Sequence, residues 1–161
     1  MRLTALEPLA ALLVIAAPVS AHEQPPKAAE AGALPVSARA AAAAVDAFHA
    51  ALERGDTKAA AALLADDALI FESGEAERSK AEYAAHHLPA DAEFSRAVSS
   101  VVTRRAGSST GNIAWIASEG RTTGTWKGKP VDVATTETMV LRRIGPSWKI
   151  THIHWSSAAR R

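Results

Sequence analysis

Apolar residues recur with a helical period in the first part of the chain. Three of them and one histidine share one face at i, i+3, i+4 and i+7, which predicts a helix over residues 38–54 that Ser37 caps and Gly55 ends. These face residues are Val45, Phe48, His49 and Leu52. Asp56 is placed to cap a second, shorter helix through Leu64. Because alanine dominates both helices, we expect thin helices that pack close to a sheet.

The pattern changes to that of strands further along the chain. A short apolar strand is predicted over residues 68–71, and Ser79 and Glu82 have the capping-box spacing of a third helix that stops before Pro89. Four β segments follow, bounded by Gly and Pro: residues 97–104, 113–125, 131–143 and 148–156. Helices that precede consecutive strands with short turns predict an α+β fold, in which three N-terminal helices cover one face of an antiparallel sheet.

The N-terminus has the features of a secretory signal over residues 1–21. Arg2 provides a positive start, an apolar run follows, and Val19-Ser20-Ala21 is a small-residue cleavage site. We therefore expect a periplasmic or secreted protein. The apolar run is shorter than the roughly 20 residues that a membrane-spanning helix needs, so no membrane association is expected after cleavage.

Three further segments follow the predicted signal. Residues 22–36 are rich in Ala, Pro and Glu without periodicity, which is typical of a flexible linker. Residues 37–157 are long enough for one domain with one core, and residues 158–161 form a short tail.

Composition and motifs exclude several classes of function. The chain has 18 basic and 17 acidic residues and a net charge of +1, which does not favour a nucleic-acid partner. It has no cysteine, so neither a disulfide framework nor a cysteine nucleophile is available. Phosphate-binding glycine loops and the Gly-x-Ser-x-Gly elbow are also missing from the sequence, which excludes nucleotide-dependent and triad-hydrolase functions.

Four of the six histidines fall in two places, which together predict a candidate site. His152 and His154 lie two residues apart on the last strand and therefore share one face. His86 and His87 lie near the end of the third helix, three and four residues after Tyr83. We predict that these five residues line a ligand-binding cavity, with the paired imidazoles of the last strand turned inward toward the end of the third helix.

The same residues support other interpretations. No cofactor is required by the sequence, but His86, His87, Asp91, His152 and His154 could together supply the imidazole and carboxylate ligands of a divalent metal. In the simplest alternative, the histidines only donate hydrogen bonds that hold the helix end against the sheet.

The chain resembles the nuclear-transport-factor-2-like, or SnoaL-like, superfamily. The resemblance rests on the order of the elements, on Glu82-Tyr83 and His86-His87, and on the ending from Glu137 to His154. That ending is also similar to the association domain of calcium/calmodulin-dependent kinase II. The resemblance implies a cystatin-like, cone-shaped curved sheet around helices, an internal cavity, and a homodimer formed through the outer sheet face.

The superfamily hosts isomerases, cyclases, dehydratases and non-catalytic binding modules, so several functions follow as alternatives. The leading expectation is an exported protein that binds a small molecule. The second is an enzyme acting on a carbonyl substrate, in which a histidine oriented by Asp91 or Glu137 is the base and Tyr83 polarises the carbonyl. A metal-binding periplasmic protein and a purely structural dimerisation module are the others. Tyr83 is the only tyrosine, and the strands lack a clear cavity aspartate, which departs from the isomerase pattern.

Overall fold

The computed structural model describes residues 34–160. The predicted signal peptide and all but the end of the predicted linker lie outside these residues. Four helices are described: α1 (Val36–Glu53), α2 (Thr57–Leu63), α3 (Lys80–His86) and α4 (Leu88–Ala97). Six strands accompany them: β1 (Leu64–Glu72), β2 (Glu75–Glu77), β3 (Val98–Thr110), β4 (Ile113–Trp126), β5 (Lys129–Ile144) and β6 (Ser147–Ala159). Within this part of the chain, no helix combines the length and the apolar character that crossing a membrane requires.

The strands form one sheet in the order β2-β1-β6-β5-β4-β3. Neighbouring strands are antiparallel except β1 and β6, which run parallel, so the sheet is mixed rather than wholly antiparallel as predicted. The α+β fold is confirmed, but residues 34–160 contain four helices where three were expected. Pro89 ends the predicted third helix and also occupies the first turn of α4, where a residue without an N–H is tolerated.

The helices pack on one face of the sheet, which we call the inner face. Val45, Phe48 and Leu52 of α1 are buried in one cluster with apolar residues of the sheet, including Met139 and Ile153. Two predicted caps are confirmed: Asp56 accepts a bond from the Ala59 N–H at 2.9 Å, and Ser79 accepts one from the Glu82 N–H at 3.0 Å. The predicted cap at Ser37 is wrong, because α1 begins at Val36, after Pro35, and has no side-chain cap.

A bulge in β6 decides which of its side chains face inward. Val140 pairs with His152 and Leu141 pairs with Ile150, which leaves Thr151 as an extra residue. The Thr151 hydroxyl donates to the Val140 carbonyl at 3.1 Å. Because the extra residue reverses the alternation, Ile150 faces inward before the bulge and Ile153 faces inward after it.

Candidate functional site

A cavity of about 430 Å³ lies between the inner face of the sheet, α1 and α4. Its charged wall is one transverse row of the sheet, in which each residue is the register partner of the next. From β3 to β1, this row is Arg105, Ser118, Glu137, Trp155 and Glu72. Since adjacent strands lie about 4.8 Å apart, its two ends are separated by roughly 19 Å.

The rest of the sheet wall carries smaller side chains. The next inner row contains Gly120, Thr135 and Ser157, and the row beyond contains Ser100, Thr122 and Val133. The Ser100 and Thr122 hydroxyl oxygens are 2.8 Å apart and satisfy each other. The cavity is therefore lined by one charged row and by rows of smaller, mildly polar side chains, a combination that is typical of small-molecule sites.

The centre of the charged row is a buried carboxylate. Glu137 is 9% exposed, and its Oε2 accepts a bond from Trp155 Nε1 at 2.8 Å and lies 2.7 Å from Nε2 of His49. Burial raises the pKa of Glu137, but the bonds from His49 and Trp155 and the charge of Arg105 outweigh it, so the pKa is lowered. Its Oε1 is buried without a hydrogen-bond partner among residues 34–160. Glu137 thus stays ionised and orients the imidazole of His49, which lines the cavity.

A second group of titratable residues lies at the α4 side. The Tyr83 hydroxyl donates to Oδ2 of Asp91 at 2.7 Å, and Asp91 lines the cavity while Tyr83 is fully buried. Burial raises the pKa of Asp91 despite the opposing effects of Tyr83 and His87. Burial and the nearby Asp91 also raise the pKa of Glu72. Burial and Asp91 raise the pKa of Tyr83, so its hydroxyl keeps its proton.

Trp155 joins the two groups. Its ring stacks on that of Phe48, with the two centroids 6.3 Å apart, and its centroid lies 6.4 Å from that of Tyr83. Its N–H donates a hydrogen bond to Glu137. The indole therefore fixes the carboxylate of one group and packs beside the phenol of the other.

The prediction that His152 and His154 face the cavity is wrong. The bulge at Thr151 turns Trp155 inward instead and places both histidines on the outer face, where each ring packs against Phe71 at centroid distances of 5.0 and 6.5 Å. Nδ1 of His152 lies 3.0 Å from the Leu69 carbonyl oxygen, which accepts a hydrogen bond from it. The two histidines therefore contact β1, and not the end of the third helix as in the simplest alternative.

The other predicted residues are also dispersed. His86 is exposed at the end of α3, and His87 pairs with Glu77 and Glu75. In the part of the chain that the structure describes, no three His, Cys, Asp or Glu side chains are placed to hold a metal ion. The five residues that the sequence suggested as metal ligands are thus not brought together.

Sequence reasoning missed most of the residues that line the charged wall. The sequence places His49 on the largely apolar face of α1 and indicates Glu137 only as an orienting carboxylate. It does not point to Arg105, Trp155 or Glu72 as site residues. One signal was available: His49 is a titratable residue on a helix face whose other members are apolar.

Comparison with known proteins identifies structures that share this fold and the family to which the chain belongs. Solved structures that share the arrangement include NTF2-like proteins with a cystatin-like fold, for example one from Novosphingobium aromaticivorans at 12% identity and a TM-score of 0.62, covering 74% of this chain and 80% of that chain. The model of the SnoaL-like domain matches residues 41–160, and the chain belongs to this family. A search of curated proteins finds no match.

Two relatives extend the comparison. A candidate ketosteroid isomerase from Shewanella frigidimarina is 38% identical, with a TM-score of 0.72 over 77% of this chain and 100% of that chain. A candidate calcium/calmodulin dependent protein kinase II association domain from Xanthomonas campestris is 27% identical, with a TM-score of 0.66 over 81% of this chain and 95% of that chain.

Proposed function

We propose that the cavity binds a small carbonyl compound and moves a proton at the carbon beside the carbonyl. The observation that carries this proposal is the contact of His49 with the buried, ionised Glu137 at the cavity wall. In this reaction a C–H bond breaks, its electron pair forms an enolate, and the proton passes to the imidazole before it is returned to the product.

The arrangement suits His49 to the role of the base. If Nε2 donates to Glu137, the lone pair of the neutral ring is on Nδ1, which is then the atom that accepts the proton. The carboxylate holds the ring in one tautomer and stabilises the imidazolium that forms. Because Glu137 is also bonded by Trp155, the pair is fixed before a ligand arrives.

Asp91 is suited to donate a hydrogen bond to the bound compound, while the proton that His49 removes is the one that returns to the product. The raised pKa of Asp91 keeps its carboxyl protonated to higher pH than an exposed aspartate, whereas the pKa of Glu137 moves in the opposite direction. Two carboxyls whose environments separate their pKa values are the usual basis for dividing acid and base roles. The relative from Shewanella frigidimarina, a candidate ketosteroid isomerase, is compatible with chemistry of this class.

A general exchange assay tests the proposal without knowledge of the substrate. Cyclohexanone, 2-tetralone and 2-acetylnaphthalene are incubated with the protein in D₂O, and deuterium incorporation beside the carbonyl is followed by NMR. We expect faster exchange with the native protein and loss of the acceleration in His49→Gln. His154→Gln, on the outer face, is the matched control and should retain it. Equal exchange by His49→Gln and the native protein would refute His49 as the base.

Binding without turnover is the second candidate. It is favoured by the position of Tyr83, whose hydroxyl is engaged by Asp91 and does not line the cavity, so it cannot polarise a carbonyl as first expected. In that case, ligands that raise the melting temperature of the native protein would show no catalysed exchange, and His49→Gln would change affinity alone.

We also propose that the protein acts outside the cytoplasm, on the strength of the signal-like residues 1–21. N-terminal sequencing of protein recovered from the native host's periplasm or medium should give His22 as the first residue. Recovery of an uncleaved chain from the cytoplasm would contradict this.

A further inference from the structure

Arg105 is the one basic residue at the β3 end of the charged row. Its side chain is 18% exposed and lines the cavity. Nε donates to Ser118 Oγ at 3.1 Å and Nη1 donates to Asp46 Oδ1 at 2.6 Å. Within residues 34–160, no protein acceptor is bonded to Nη2. Because only Nε and Nη1 of the planar guanidinium are engaged, the N–H groups of Nη2 can donate to a ligand oxygen.

The contacts of Arg105 place it beside the proposed base. Asp46, its ion-pair partner, lies one helical turn before His49 on the same face of α1, where residues three apart have Cβ atoms about 5–6 Å from each other. Ser118, its register partner, is also the register partner of Glu137. The guanidinium and the His49–Glu137 pair therefore occupy adjacent parts of one wall.

The two ends of the charged row differ in charge. Arg105 is the cationic end of the row, whereas the opposite end of the cavity wall carries two carboxyl groups, those of Glu72 and Asp91. A ligand oxygen that carries or develops negative charge is repelled at the Glu72 end and attracted at the Arg105 end.

We propose that Arg105 binds the substrate oxygen on which negative charge develops, so that the substrate is an enolisable carbonyl compound oriented with its oxygen toward β3. This inference rests on the proposed function. When His49 removes the proton, the electron pair moves onto that oxygen, and the guanidinium stabilises the resulting enolate. Arg105 thereby takes the part that Tyr83 cannot.

Calorimetric titration with three probes of one ring system tests the charge preference directly. 2-Naphthoate has a charged oxygen, 2-naphthamide is its neutral analogue, and 2-naphthylmethylamine is a cation. We expect the naphthoate to bind most tightly and the amine most weakly. Arg105→Met should weaken naphthoate binding about 10- to 100-fold, the range expected for a lost charge-assisted hydrogen bond, while naphthamide binding changes much less.

Two variants keep the test decisive. Asp46→Asn leaves Arg105 in place and removes the carboxylate that competes for it, so naphthoate affinity should rise. This result does not depend on whether Arg105→Met folds. Arg104→Met is the matched control, because Arg104 pairs with Glu119 and does not line the cavity. Naphthoate binding no tighter than naphthamide, or equal losses in Arg104→Met and Arg105→Met, would overturn the inference.

The two proposals fail in different assays. If the native protein binds naphthoate no more tightly than naphthamide, the role of Arg105 is refuted, but exchange by His49 can remain intact. Unchanged exchange in His49→Gln refutes the proposed function, whereas the probe affinities report on Arg105 independently.

Discussion

The hydrogen bond from Trp155 to Glu137 allows a direct test of what stabilises the buried carboxylate of the site. Trp155→Phe keeps an aromatic ring against Phe48 and removes only the N–H donor and part of the ring. Glu137 then retains a single partner, His49, while its Oε1 already lacks one in residues 34–160. The substitution therefore asks what one donor contributes to a carboxylate that is 9% exposed.

The expected loss in unfolding free energy follows from the type of bond. A hydrogen bond to a charged group contributes about 1.5–3 kcal/mol. The smaller ring adds a packing loss of about 1 kcal/mol. We therefore expect Trp155→Phe to be destabilised by about 2.5–4 kcal/mol near neutral pH, since both terms act in the same direction.

A double-mutant cycle separates these contributions. Urea unfolding is followed by far-UV circular dichroism for Trp155→Phe, Glu137→Gln, the double variant and the native protein. The coupling energy should be about 1–2 kcal/mol, less than the whole hydrogen bond contributes, because the packing loss cancels in the cycle and glutamine can still accept a weaker bond from the indole. Trp148→Phe, on the same strand, is the control for loss of a buried indole alone.

The coupling should also depend on pH in a defined direction. The pKa of Glu137 is lowered in the folded state, so the contribution of its charge is present above the ordinary glutamate pKa and is lost as the pH falls through the lowered value. Equal destabilisation by Trp155→Phe with and without Glu137 would refute the reasoning.

The remaining predictions concern the other parts of the site and the outer face. Tyr83→Phe removes a bond that lowers the pKa of Asp91, so we expect a loss of about 1–3 kcal/mol in urea unfolding that is larger above that pKa than below it. Because burial raises the pKa of Glu72, its ionisation destabilises the fold; Glu72→Gln should melt higher than the native protein at neutral pH, and the difference should vanish in acid. Gly120→Ala should lose about 1–3 kcal/mol, since the added methyl would lie 2.8 Å from a β3 carbonyl oxygen; an unchanged urea midpoint would contradict this. We expect a homodimer through the outer face, where Trp115 is 44% exposed, so light scattering should show a dimer that Trp115→Asp converts to a monomer.

The sequence determined the order and type of most elements, though not α4 or β2, because their signals are local. Ser79 and Asp56 cap helices through bonds to residues three positions later, so the spacing alone predicts them. The change from helical to alternating periodicity likewise predicts an α+β fold without any knowledge of long-range contacts.

Only the tertiary structure decided which side chains meet in the cavity. Counting by twos along the last strand placed His152 inward, but one extra residue, Thr151, reversed the alternation and brought Trp155 there instead. A bulge depends on the pairing with β5, which local sequence does not encode. The contact of His49 with Glu137 joins residues 88 positions apart, and no spacing rule spans such a separation; packing of α1 on the sheet creates it.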